Sequence, residues 1–144
     1  MHTFIQRGGQ FLIMTWFIPI LTTDNKTIYI ATEKIRYIED HGKERRIHCH
    51  SGQILFHNTP MSLEQLAHQL TSIQPPLVLV GYVGENKLAS VLNIAYIAHV
   101  EANKKGNADI HCHYSNNRHI IKSETPINEF LGQMGQAGVR FVGS

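Results

Sequence analysis

Ile47-His48-Cys49-His50 returns as Ile110-His111-Cys112-His113, 63 residues further on (48 to 111). In each copy the apolar Ile and Cys alternate with His, the period-two pattern of a strand with one face on a core. Ser62, a candidate helix start, has its counterpart in Thr125 at the same spacing. Upstream, Ile35-Arg36-Tyr37-Ile38 is matched to Ile94-Ala95-Tyr96-Ile97, 59 residues on, which gives the second copy a loop four residues longer within 101–107. The chain therefore reads as two similar strand-strand-strand-helix halves. The fold class expected is mostly β with two short helices and antiparallel sheets.

Turn residues punctuate both halves. His41-Gly42-Lys43 and Lys104-Lys105-Gly106-Asn107 separate the first two strands of each half. Ser51-Gly52 leads into Gln53-Ile54-Leu55-Phe56-His57, and Ser115-Asn116-Asn117 leads into Arg118-His119-Ile120-Ile121-Lys122. Two further strands are expected at Phe17–Leu21 and Thr27–Ala31, joined through Asp24-Asn25-Lys26. Ser62 with Gln65 fits a capping box, and Leu63, Leu66, Ala67 and Leu70 line one helical face. Thr125 and Pro126 form a cap and first-turn pair ahead of Ile127, Phe130, Leu131 and Met134, with Gly135 and Gly138 as the stop. Gln74-Pro75-Pro76 is read as a connector inside one domain. Residues 1–15 are expected to be a poorly ordered extension and 16–144 the domain.

Composition bounds the function. The 144 residues are 42% hydrophobic and 17% charged, too apolar for a disordered tail. Thirteen Lys and Arg against eleven Asp and Glu exclude a histone-like polycation but not a local basic patch. Two cysteines, Cys49 and Cys112, make no disulfide scaffold and no C-x-x-C, so free thiols in a cytoplasmic protein are expected. The apolar run at Phe11-Leu12-Ile13 and Trp16-Phe17-Ile18 is broken by Thr15 and Pro19. It is too short to span a bilayer and no small-residue cleavage site follows, so membrane insertion is not expected.

No G-x-S-x-G elbow and no phosphate-cradling P-loop occurs, so the chain is not read as an enzyme. Ten histidines stand out. His48 and His50 project from one strand face, as do His111 and His113. Two such pairs on adjacent strands would offer four imidazoles to a metal, and a single histidine could hold a haem. The simpler reading points Ile and Cys into the core and His to solvent; no cofactor is expected. The basic residues cluster at strand ends and turns: Lys43, Arg45 and Arg46; Lys87 beside Asn86; Lys104 and Lys105; Arg118, His119 and Lys122. Such tips can neutralise phosphates and reach base edges.

The order of these elements resembles the LytTR family, the mostly β DNA-binding domain of many bacterial response regulators. Ile35-Arg36-Tyr37-Ile38-Glu39 is similar to its I-x-Y-I-E strand, and Ser62-Leu63-Glu64-Gln65-Leu66 to its S-L-x-x-L helix. Val91-Leu92-Asn93 is similar to its L-V-N segment, and Ile120-Ile121-Lys122-Ser123 to its I-x-V-S strand. The resemblance runs from Phe17 to Met134. It implies loops that enter the major groove of duplex DNA, at directly repeated sites read by two copies. Carried over, the contact positions are Lys43, Arg45 and Lys87, with Arg46, Asn86 and Lys122 beside them. Lys87-Leu88-Ala89 stands where the family has H-R-S, and Glu124-Thr125 where an arginine follows the last strand. Two of three contact positions thus lack their usual chemistry. The expected function is a DNA-binding transcriptional regulator, as a homodimer or with a regulatory protein partner. Its rivals are a LytTR-like domain that contacts protein instead of DNA, and a histidine-based metal or haem sensor. No α/β receiver segment with an acidic pocket occurs in the chain, so phosphorylation within it is not the expected switch.

Overall fold

The computed structural model describes residues 2–4, 13–50, 54–113 and 119–143. A short hairpin, β1 (His2–Phe4) with β2 (Ile13–Thr15), precedes β3 (Phe17–Leu21) and β4 (Thr27–Ala31). A 3₁₀ turn at Thr32–Lys34 leads to β5 (Ile35–Asp40), β6 (Arg45–His50), β7 (Ile54–Thr59) and helix α1 (Leu63–Thr71). The second half is β8 (Leu79–Val83), β9 (Ala89–Asn93), a 3₁₀ turn at Ile94–Tyr96, β10 (Ile97–Ala102), β11 (Asn107–Cys112), β12 (His119–Pro126) and α2 (Ile127–Gln136). All pairings are antiparallel. β3–β4 form one sheet, β7-β6-β5-β9-β8 a second and β10-β11-β12 a third.

The five-stranded sheet has a core on each face. Ile35, Ile38, Ile47 and Cys49 pack with Ile18, Ile20 and Ile30 of β3–β4 and with Leu66 and Leu70 of α1. Val80, Tyr82 and Leu92 pack with Tyr96, Ile110, Cys112 and Ile121 and with Phe130 and Met134 of α2. Alternation places neighbours in different cores: Leu79 and Val91 contribute to the first, Val80 and Leu92 to the second. Both cysteines are free and buried, and burial pushes the Cys49 thiol up to about 11 and the Cys112 thiol up to about 12. They are inert core residues.

The duplication is longer than the repeat of His-Cys-His suggests, and its register differs. Each copy holds five strands, a 3₁₀ turn before its third strand and a closing helix, and the second has a further 3₁₀ turn at Glu85–Lys87. β8 follows β3 by 62 residues (Phe17 to Leu79), and β10 follows β5 by the same interval (Ile35 to Ile97). Ile94-Ala95-Tyr96 is therefore not the counterpart of Ile35-Arg36-Tyr37; it corresponds to the 3₁₀ turn at Thr32–Lys34. Ile35 faces Cys49 as Ile97 faces Cys112, and both pairs are followed by a register shift. The spacing rises from 62 to 63 across the hairpin turn, so the second copy has one extra residue there, not four. Gly42 and Gly106 lie within the two turns at φ +85° and +82°, where a Cβ would be strained.

The helix ends separate two kinds of signal. The Ser62 hydroxyl accepts the Gln65 N–H at 3.0 Å, as its sequence predicts. Thr125 does not cap α2. It stays in β12, and its hydroxyl accepts the Val83 N–H of β8 at 2.7 Å instead. α2 ends in a Schellman motif: Gly138 at φ +101°, with Val139 N–H on Met134 O and Gly138 N–H on Gly135 O, both 3.0 Å. The turns at Ser51-Gly52 and Ser115-Asn116-Asn117, and Arg118, lie outside the described residues.

Candidate nucleic-acid interface

Register brings three cationic turns to one end of the molecule. Glu39 of β5 faces Ser90 of β9, which sets the 41–44 turn beside the 84–88 turn. A groove of about 710 Å³ then joins the second turn to the third: Asn86, Lys104, Lys105 and Lys122 line it, together with Glu85, Asp109 and Glu124. A neighbouring cleft of about 330 Å³ is lined by Arg46, His41 and Glu39 on one side and by Asn86, His119 and Lys122 on the other. Asn86 and Lys122 thus border both.

Each sequence-predicted residue has a definite place. Lys43 is exposed on its turn. Asn86 and Lys87 are exposed and both hold φ +60°, so the turn presents its side chains outward from a left-handed backbone. The Lys87 N–H donates to Glu124 Oε2 at 3.1 Å, which ties the turn to β12. Lys122 is exposed on β12. The Arg46 guanidinium lies 4.5 Å from the centroid of Phe56, and its Nε donates to Asn58 Oδ1 at 3.4 Å. Lys104 and Lys105 face the same groove.

Arg45 is not a loop-tip side chain with little to pack against. Its Nε donates to Met61 O at 2.8 Å and Nη2 to Pro60 O at 2.7 Å. Its Nη1 reaches Gly42 O at 3.1 Å and Asp40 Oδ1 at 3.3 Å. Its side chain is 12% exposed. The guanidinium clamps the β5–β6 turn to the chain entering α1. Asp40 accepts the Gly42 N–H and then Arg45, which together hold its carboxyl below the usual range.

The histidines are not simply solvent-facing. His48 stacks on Tyr37 with centroids 4.0 Å apart and donates from Nε2 to Glu39 Oε1 at 2.8 Å. That bond, with a second from His41, lowers the Glu39 pKa. His48 and His50 on β6 and His111 on β11 belong to different sheets, so the two His-Cys-His stretches do not pool four imidazoles on adjacent strands. Tyr37 also stacks with Tyr96 and His119, and the Arg36 guanidinium lies 4.9 Å from the Tyr96 centroid. Sequence reading meets Arg36 and Tyr37 only as strand-motif residues and His119 only among the basic residues of the last hairpin, and does not foresee that their rings and guanidinium meet. The signal is present in the I-x-Y-I-E strand, but only the register across β5 shows which rings meet.

His119 supplies a pH response. Burial, then the nearby His48, push its pKa down against a smaller opposing pull from Glu39. Its Nδ1 lies 3.0 Å from the Tyr96 hydroxyl. A depressed pKa adds stability above the unfolded value, about 6.5, and loses it as pH falls through the folded value. Thermal denaturation therefore moves to lower temperature as pH drops below about 6.5. In His119→Asn that part of the loss disappears, so the gap between variant and wild type narrows on acidification.

The chain matches a solved structure described as the LytTR DNA-binding domain of a methyl-accepting/DNA response regulator from Bacillus cereus. The match covers 86% of this chain and 98% of that one, with a TM-score of 0.54 and 13% sequence identity.

The chain has the LytTR fold.

No family model matches the sequence, and no curated protein matches it. Among the described residues, no helix is long and apolar enough to cross a membrane.

Proposed function

We propose that this LytTR-fold chain is a transcriptional regulator that binds duplex DNA through the turns at one end of its sheets. The observation that carries the reading is the convergence of Asn86, Lys104, Lys105 and Lys122 on one open groove, in a fold shared with a domain named for DNA binding. Lys43, Lys87, Lys104, Lys105 and Lys122 act on phosphates. Asn86 offers an amide that can pair with a base edge, and Arg46 reaches the adjoining cleft from the ring of Phe56. Arg45 contributes by holding the turn that carries Lys43. Two copies on a directly repeated site would enlarge an interface that one groove of mixed charge leaves small.

Glu85, Asp109 and Glu124 line the same groove, so binding is salt-sensitive and selective, not polycation-like. Fluorescence anisotropy on a mixed-sequence duplex of about 30 base pairs, long enough for two copies, tests this. Affinity falls with salt, and each of Lys104→Ala, Lys105→Ala and Lys122→Ala flattens the log–log slope by about 1. No binding at low salt by the folded wild type, or a triple variant that binds as wild type, overturns the reading. The first outcome would favour the protein-contact alternative, for which the interleaved carboxylates are the supporting feature.

A further inference from the structure

The β10–β11 hairpin carries a group of donors that the proposed DNA contacts do not use. His99 faces His111 directly across the strand pair, and Glu101 faces Asp109 two residues nearer the turn, on the same face. Ile110 and Cys112 point into the core, so His111 and its neighbours lie on the opposite face of the sheet. His111 is buried and donates from Nε2 to Glu101 Oε1 at 2.8 Å. The ring of exposed His99 stacks on His111 with centroids 4.0 Å apart. One donor atom from each of His99, Glu101 and His111 lies within 4.8 Å of the other two. No other trio of His, Cys, Asp or Glu donors comes this close among the described residues.

We propose that His99, Glu101 and His111 form a zinc site with an open position for solvent. Two imidazoles and a carboxylate are a donor set zinc takes, at about 2.0–2.2 Å from each ligand. The buried His111 fixes one corner. His99 and Glu101 are exposed at the surface and close on it by side-chain rotation. Zinc takes the place of the hydrogen bond between His111 and Glu101, the neutral imidazole shifting its one N–H proton from Nε2 to Nδ1 so that the Nε2 lone pair faces the metal. Binding weakens in acid, because protons compete with zinc for the imidazole nitrogens.

The duplication provides its own control. Glu39 and His48 in the first copy repeat the Glu101 and His111 bond at the same 2.8 Å. The ring stacked on His48 is Tyr37, in the position that His99 holds in the second copy. The same backbone thus accepts a stacked tyrosine. The first copy has its second histidine on Glu39 from the turn instead, His41 at 3.2 Å, and among the described residues His41, Glu39 and His48 do not close to within 4.8 Å of one another as His99, Glu101 and His111 do.

Isothermal titration of ZnCl₂ into the purified full chain, buffered about one unit above the usual histidine pKa, tests the site. Wild type takes up one equivalent and its melting temperature rises. His99→Tyr recreates the stack of the first copy and weakens zinc at least tenfold, since even an outer-shell change costs about 10–100-fold. Glu101→Gln keeps a hydrogen-bond acceptor for His111 and weakens zinc likewise. Unchanged melting of both variants without zinc shows that the fold is intact. Absence of zinc uptake by wild type, or wild-type affinity in either variant, overturns the proposal. DNA plays no part in these readouts, so their outcome is independent of the DNA-binding reading.

Discussion

Replacing Arg45 by alanine lowers the unfolding free energy by about 2–4 kcal/mol, a large share of the roughly 5–15 kcal/mol that holds an ordinary domain together. The reason lies in what its guanidinium holds. The carbonyls of Pro60 and Met61 accept from Nη2 and Nε, and Gly42 O and Asp40 accept from Nη1. Hydrogen bonds from a charged donor contribute about 1.5–3 kcal/mol each where water is scarce, and less where it competes. The Nε bond to Met61 is the more sheltered of the two to the α1 approach; the Nη2 bond to Pro60 is exposed. Alanine removes the whole fork and frees the turn at 41–44 from the segment leading into α1. Lysine keeps the charge but cannot span both carbonyls in one plane, so Arg45→Lys recovers under half of the loss. Urea denaturation followed by fluorescence of Trp16 gives the midpoints. An alanine variant within about 0.5 kcal/mol of wild type, the usual scatter of surface substitutions, would show that the clamp contributes nothing.

Arg45 also marks where sequence reading stops. It lies next to a glycine turn and among other cations, the pattern of a solvent-facing tip, and only the tertiary path of 60–61 past its head makes it a clamp. Period-two alternation finds the core face of β6 and β11 because Ile47, Cys49, Ile110 and Cys112 repeat it without interruption. The spacing of Leu66 and Leu70, and of Phe130 and Met134, finds both helices for the same reason. Thr125 misleads because a hydroxyl before proline suits a helix cap, whereas a strand neighbour with no local signature claims it for Val83. Letter similarity misaligns the repeat. Ile94-Ala95-Tyr96 looks like Ile35-Arg36-Tyr37, yet Tyr96 is fully buried and turns where Tyr37 extends. The cations of the candidate interface are visible by type, and two of their acidic neighbours by position: Glu124 stands two residues from Lys122 and Glu85 two from Lys87. What the sequence does not show is that these pairs share one groove with Lys104, Lys105 and Asp109, which only the folded register brings about.

Substituting Asn93 by aspartate destabilises the chain by about 3–5 kcal/mol at neutral pH, and the deficit grows with pH. Asn93 is buried where the second copy meets the first. Its Nδ2 donates to Ile35 O at 2.9 Å, at the start of β5, while its Oδ1 accepts the Ala95 N–H at 3.1 Å and opens the 3₁₀ turn. One amide thus serves an acceptor on one side and a donor on the other, which a carboxylate cannot do. In Asn93→Asp the ionised side chain keeps the Ala95 bond but sets a negative oxygen against Ile35 O in a buried site. Burial and this repulsion raise the introduced carboxyl's pKa above its unfolded value of about 3.9. A raised acid pKa leaves stability whole below the unfolded value and removes it as pH climbs to the folded one. The difference between Asn93→Asp and wild type therefore widens from about pH 4 upward and then levels. When protonated, the new carboxyl donates its O–H to Ile35 O and restores the asparagine pattern. Asn93→Ala has no ionisable group, so its deficit of about 2–4 kcal/mol, from two backbone groups left unpaired, does not change with pH over the same range. Paired denaturation curves for the two variants, one set near the unfolded carboxyl pKa and one about three units above it, separate charge from lost hydrogen bonding. Equal pH dependence in both would show that Asn93 holds the two copies together by shape alone.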